Sequence, residues 1–137
     1  MNKHLLIADD NEQFSAVVAN VASRRGWLCS IYRNGRDLLS GLREMDGPTL
    51  LFLDILMPDL DGIETIVKLK SSAVAQGLRV RFVTGGVQTN AEAARMIADA
   101  LRFDVGETIY KPVTIQELDT ILGEESNIMD HRQSQAD

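Results

Sequence analysis

Four places in the chain carry side chains suited to phosphoryl chemistry: the Asp9-Asp10 pair, Asp54, Thr84 before Gly85, and Lys111 before Pro112. Three carboxylates held close together repel one another, which raises at least one pKa unless a cation compensates. No histidine or cysteine accompanies them, so a site built from these residues is all oxygen. Such a donor set suits Mg²⁺, a hard ion that takes few protein carboxylates and keeps several waters. A lysine ammonium and a hydroxyl beside the ion offer charge neutralisation and a hydrogen bond to equatorial phosphoryl oxygens. Asp54 would then be the nucleophile, forming an aspartyl phosphate. Each piece alone also has a plainer reading. Asp9-Asp10 reads as a solvated helix start, Asp54 as a turn cap, Thr84 as turn chemistry and Lys111 as a strand end.

What the plain readings leave unexplained is the common placement of these residues. His4 to Ala8 is a short apolar run, the pattern of a buried strand. From Glu12 to Arg25, Phe14, Val17, Val18 and Val21 recur at helical spacing, and Gly26 after Arg24-Arg25 signals a stop. Trp27 to Tyr32 reads as a second strand. Asn34 can cap a helix carrying Leu38, Leu39, Leu42 and Met45 that ends near Gly47-Pro48. Thr49 to Leu53 is almost wholly apolar, as in a central parallel strand covered on both faces, and runs straight into Asp54. Ile63, Ile66, Val67 and Leu69 mark a third helix, and Val80, Phe82 and Val83 a fourth strand ending at Thr84. A fourth helix starts near Asn90, with Ala94, Ile97, Ala98 and Leu101 inward. Val105 to Tyr110 is the fifth strand. Thr114 and Glu117, spaced as a capping box, open a last helix through Ile115, Leu118, Ile121 and Leu122.

Strands alternating with helices predict an α/β fold, a parallel sheet covered by helices on both faces. In such a sheet, ligands collect beyond the carboxyl ends of the strands. Asp9-Asp10, Asp54, Thr84 and Lys111 all follow strands, so the topology gathers them at one edge. The organisation expected is one domain over residues 1–123 and a polar, frayed tail or linker over 124–137.

Composition narrows the rest. The chain has 137 residues, 14 Lys+Arg against 20 Asp+Glu, and a net charge of −6. That acidity argues against nucleic-acid and anionic-membrane surfaces, which need clustered cations. No apolar run is long enough to span a bilayer, and no secretory signal opens the chain. The single Cys29 excludes an internal disulfide and fits a reducing cytoplasm; it reads as a structural strand residue.

Together the motifs Leu6-Ile7-Ala8-Asp9-Asp10-Asn11, Leu53-Asp54-Ile55-Leu56-Met57-Pro58-Asp59-Leu60-Asp61-Gly62, Val83-Thr84-Gly85 and Tyr110-Lys111-Pro112 resemble the receiver domains of two-component response regulators. The resemblance covers about Lys3 to Leu122. It implies a doubly wound, flavodoxin-like five-stranded sheet of order 2-1-3-4-5 with five helices. It further implies that Asp54 takes a phosphoryl group from a phosphohistidine on a sensor histidine kinase or phosphotransfer protein. Asp10, Asp54 and the Leu56 backbone carbonyl would hold Mg²⁺ directly, with Asp9 acting through a coordinated water. Thr84, Gly85 and Lys111 would bind the phosphoryl group, and the bond to Pro112 would be cis. Thr84 would couple the chemistry to the face of the fourth helix, fifth strand and fifth helix. That face would be read by a protein target or output domain, or used for a homodimer.

The chain departs from the family pattern in three ways. The switch aromatic expected three residues before the lysine is Thr108, with Tyr110 two residues further on to substitute for it. Neither Leu56 nor Gly86 has a polar side chain to orient an attacking water, so slow self-dephosphorylation is expected. The stretch 91–106 is similar to receivers found with cyclic-di-GMP phosphodiesterase domains. Two other functions stay open on the sequence: a receiver-like binding module that works without phosphorylation, and a Mg²⁺-dependent aspartyl-phosphate phosphatase. Against the phosphatase, Asp9 and Asp10 are adjacent rather than separated by one residue, and these residues leave no room for a substrate-selecting cap domain.

Overall fold

The computed structural model describes residues 2–85 and 88–136. Its elements run β1 (His4–Ala8), α1 (Glu12–Arg24), β2 (Leu28–Tyr32), α2 (Gly35–Gly41), β3 (Thr49–Asp54), α3 (Gly62–Leu69), a 3-10 turn (Ala73–Gly77), β4 (Leu78–Thr84), α4 (Gln88–Ala100), β5 (Asp104–Val105), β6 (Ile109–Tyr110) and α5 (Ile115–Ala136). All strand pairings among the described residues are parallel, in the order β2-β1-β3-β4-β5, with β6 also on β4. The 2-1-3-4-5 doubly wound fold is therefore present, and its fifth position is filled by two short pieces.

Parallel pairing in register puts alternate strand residues on opposite faces of the sheet. Leu6, Ala8, Leu51, Leu53, Val80 and Phe82 pack towards α2, α3 and α4, whereas Leu5, Ile7, Leu50, Phe52 and Val83 pack towards α1 and α5. β3 is buried along its whole length, as its apolar run predicts. Helix starts are set by side-chain caps: Asn11 accepts from Phe14 N at 3.0 Å, Asn34 from Asp37 N at 2.7 Å, Asp61 from Glu64 N at 2.8 Å and Thr114 from Glu117 N at 3.0 Å. Gly26 closes α1 with φ +89°, a backbone that side chains rarely adopt.

Three expectations change here. α2 stops at Gly41 instead of continuing to Met45, because glycine weakens the helix there; the Tyr32 ring in turn leaves no space for a Cβ at position 41. Leu42 and Met45 still reach the core from irregular chain. The strand read as Val105–Tyr110 is split, since the Glu107 carbonyl is taken by Arg81 Nε at 2.7 Å rather than by a ladder partner. The segment 124–136, expected to be a frayed tail, is the second half of α5. Leu118, Leu122, Glu125 and Met129 form one buried stripe down the helix. Glu125 receives Arg79 at 2.5 and 3.1 Å, and Asp130 pairs with Lys3 at 3.2 Å.

Candidate functional site

Every strand that leads to the site hands its last backbone groups to a neighbour, which fixes where the next residue must lie. Asp9 N donates to Tyr32 O at 3.0 Å, Ile55 N to Val83 O at 3.0 Å, and Lys111 N to Thr84 O at 2.9 Å. Beyond Asp54 the chain folds back so closely that Gly62 N donates to Ile55 O at 2.9 Å. A Cβ on Gly62 would sit 2.5 Å from Asp54 O. Only glycine allows this approach, so residue 62 holds the acceptor loop against the end of β3.

The carboxylates of Asp9, Asp10 and Asp54 come together, with one oxygen from each within 4.8 Å of the others. Asp9 and Asp54 are buried, and Asp10 is exposed. Asp9 Oδ1 accepts from Asn11 N at 2.9 Å, and Asp54 Oδ1 accepts from Leu56 N at 3.2 Å. Their other oxygens face the Lys111 ammonium, at 2.8 Å for Asp9 and 3.6 Å for Asp54. Buried Asp9 Oδ2 makes an ion pair there without a hydrogen bond. One cation does not neutralise this set. Burial and the Asp9 charge push the Asp54 carboxyl up to about 7, against the opposing pull of Lys111.

An under-neutralised, all-oxygen cluster with a buried carboxylate oxygen lacking a hydrogen bond fits a hard divalent cation. Phosphoryl chemistry also suits this geometry, because the Lys111 ammonium stands 3.6 Å from Asp54 Oδ2.

The remaining predicted site residues fall around this centre. Thr84 is fully buried at the end of β4. Gly85 lies against Lys111, where a Cβ would be 3.6 Å from the lysine Cβ, an ordinary contact. The Lys111–Pro112 bond is cis. The Leu56 side chain is exposed, two residues after Asp54. Gly86 lies outside the described residues.

Thr108 and Tyr110 do not enter the carboxylate cluster. They flank buried Ile109 and line a groove of about 710 Å³ with Arg81, Glu107 and α5. The Thr108 hydroxyl is buried there without a hydrogen bond, and Tyr110 is half exposed.

Two features were not legible beforehand. The Phe14 ring lies 4.6 Å from Lys111 Nζ, although the sequence marks Phe14 only as an apolar helix position. Away from the site, Arg79 and Arg81 bury their side chains against Glu125. The sequence signal was an Arg-x-Arg pair inside an apolar strand, which demands an acid from elsewhere.

The sequence matches the family described as response regulator receiver domain over residues 5–123. Among curated relatives, the regulatory protein AtoC of Escherichia coli is 26% identical over 118 residues, 86% of this chain and 24% of that protein. The response regulator receiver protein CpdR of Brucella abortus is 28% identical over 83 residues, 61% of this chain and 67% of that protein. The chain spans about a quarter to a third of the length of several of the relatives it matches. Among solved structures, a CheY-like receiver domain protein from Methanospirillum hungatei has a TM-score of 0.78 at 20% identity, covering 98% of this chain and 99% of that one. A response regulator from Colwellia psychrerythraea has a TM-score of 0.75 at 21% identity, covering 92% and 97%. These likenesses are of fold. No helix among the described residues is long and apolar enough to cross a membrane.

Proposed function

Since the chain belongs to the response regulator receiver family, the signalling switches of two-component systems, we propose that Asp54 is its phosphoacceptor and that Lys111 and Thr84 hold the transferred group. The observation that carries this reading is the Lys111 ammonium, poised between Asp9 Oδ2 and Asp54 Oδ2 in a cluster with more negative charge than it can balance.

In the reaction, an oxygen of Asp54 attacks the phosphorus of a phosphohistidine on a sensor kinase or phosphotransfer protein. The P–O bond to Asp54 forms as the P–N bond breaks, and the released imidazole takes up a proton. Asp54 Oδ2 is the oxygen for this step, since Oδ1 is engaged by Leu56 N. Lys111 stays beside the new group and donates to its oxygens, while the Thr84 hydroxyl supplies a further donor. Asp10, Asp54 and the Leu56 carbonyl would hold Mg²⁺, with Asp9 acting through water. The ion supplies the positive charge that keeps Asp54 ionised and offsets repulsion between carboxylate and phosphoryl group.

Leu56 offers no polar side chain to aim water at phosphorus, which supports slow self-dephosphorylation. A half-life of seconds in purified protein with Mg²⁺ would refute that. The free Cys29 thiol fits action in the cytoplasm. The groove at Thr108 and Tyr110, between β6 and α5, belongs to the face through which a protein target, an output domain or a second copy would sense the change.

Intact mass after incubation with Mg²⁺ and acetyl phosphate tests the reading. One phosphoryl group should add to the parent protein and none to Asp54→Asn. No adduct on the parent would favour a phosphorylation-independent binding module, which Thr108 in the switch position makes the second reading. Continuous release of phosphate would favour a phosphatase.

A further inference from the structure

Lys111 has a third neighbour that carries no charge. The Phe14 ring centroid lies 4.6 Å from its ammonium, beside the acid cluster's two buried oxygens at 2.8 and 3.6 Å. We propose that Phe14 is a positioning residue for Lys111: its ring face keeps the ammonium over Asp54 without occupying a carboxylate oxygen. This role rests on the phosphoacceptor reading above.

The physical need is specific to this cluster. An ammonium held only by Asp9 and Asp54 uses the oxygens that a divalent cation requires. Once a cation draws on those acids, and before a phosphoryl group arrives, their hold on the lysine weakens. An aromatic face attracts a cation through its quadrupole, and that attraction survives when the acids are taken.

The placement of the ring is built into the first turn of α1. Asn11, directly after Asp9-Asp10, accepts from Phe14 N at 3.0 Å, so one cap fixes both the acid pair and the ring. Phe14, Val17, Pro112 and Val113 also line a groove of about 400 Å³ beside Lys111. Apolar surface thus runs along the lysine stem, as long cationic side chains favour. Leucine at position 14 would replace the apolar surface. It would not replace the quadrupole.

The test compares the parent protein with Phe14→Leu and Phe14→Tyr. Adduct formation on Asp54 is followed by intact mass with Mg²⁺ and subsaturating acetyl phosphate. The leucine variant should form adduct about two- to fivefold more slowly, and the tyrosine variant should match the parent. Proton spectra should show the Lys111 ε-methylene shifted upfield by the ring in the parent and in Phe14→Tyr, with the shift lost in Phe14→Leu. Equal rates for parent and Phe14→Leu, or a tyrosine variant as slow as leucine, would overturn the positioning role alone. An unshifted ε-methylene in the parent would do so without reference to activity. A parent that takes no phosphoryl group overturns the phosphoacceptor reading and this role with it.

Discussion

Charged side chains are buried at both ends of this sheet, and the two clusters are built on opposite electrostatic terms. At the carboxyl ends of the strands, Asp9, Asp10 and Asp54 share the single ammonium of Lys111. Towards the other end, Arg79, Arg81 and Arg132 meet Asp104 and Glu125, with Arg79 bidentate to Glu125 and Arg132 bonded to Asp104. The carboxyl groups respond in opposite senses. Burial and Asp9 push Asp54 up to about 7. Burial also pushes Asp104 up, but the hydrogen bond from Arg132 and the charge of Arg79 outweigh it and hold Asp104 below its usual range. A cluster whose carboxylates are each paired with guanidinium groups has no surplus negative charge for a cation to meet. The one with surplus negative charge is the candidate site.

The largest stability effect should come from breaking the balanced cluster. Glu125→Gln leaves Arg79 and Arg81 without their shared carboxylate, at side-chain exposures of 14% and 7%. Removing one partner of a buried ion pair costs about 3–5 kcal/mol, because the other charge stays desolvated. Urea melts should show a loss of that order. Hydrogen exchange in 124–136 should rise, since Glu125 is the point at which the late turns of α5 are tied to β4. A melt unchanged from the parent would mean that the cluster is not structural.

The unbalanced cluster should instead respond to added cation. Binding of Mg²⁺ to the folded chain alone stabilises it by about 2.7 kcal/mol at one hundred times its dissociation constant. The ion needs Asp54 ionised, so protons compete with it. Its apparent affinity should weaken by up to about tenfold per pH unit as pH falls below about 7. Thermal melts with and without Mg²⁺ at pH 8 and pH 5.5 check this, and equal shifts at the two values would contradict it.

How far each cluster could be read in advance follows from the distance over which its partners are drawn. Asp9, Asp54 and Thr84 each sit where a run of buried strand residues ends, and Lys111 follows the last short strand, so the change in hydrophobic period points at them. The alternating elements then require them to converge. The balanced cluster lacks such a marker. Arg79 and Glu125 are 46 residues apart, and Asp104 and Arg132 are 28 apart. Glu125 occupies an inward position of α5, which breaks the apolar stripe just where Leu122 hands over to Met129. A polar residue there makes a docked helix look like a solvated tail. The split of the fifth strand was hidden for the same reason, because it depends on Arg81 of the adjacent β4 claiming a carbonyl 26 residues further along the chain. Phe14 was visible as an apolar helix position, but its contact with Lys111 joins the first helix to the end of the last strand.

Neutralising one acid at each end should therefore move stability in opposite directions. Asp54→Asn removes a charge that the fold disfavours, whereas Glu125→Gln removes one that the fold requires. The sign for Asp54 follows from linkage. A carboxyl group with a folded pKa near 7 and an ordinary unfolded value binds its proton more tightly in the folded state. Its contribution to stability is then greatest below about pH 4 and falls as pH rises towards 7, remaining low above that. The asparagine variant does not titrate and escapes the fall. Without metal, its stability relative to the parent should grow between pH 4 and 7 and level off near pH 8, with a gain of about 1–3 kcal/mol. Parallel urea melts across that range would show it. A variant less stable than the parent at pH 8 would mean that Lys111 already balances the three carboxylates, and the contrast between the two ends of the sheet would vanish.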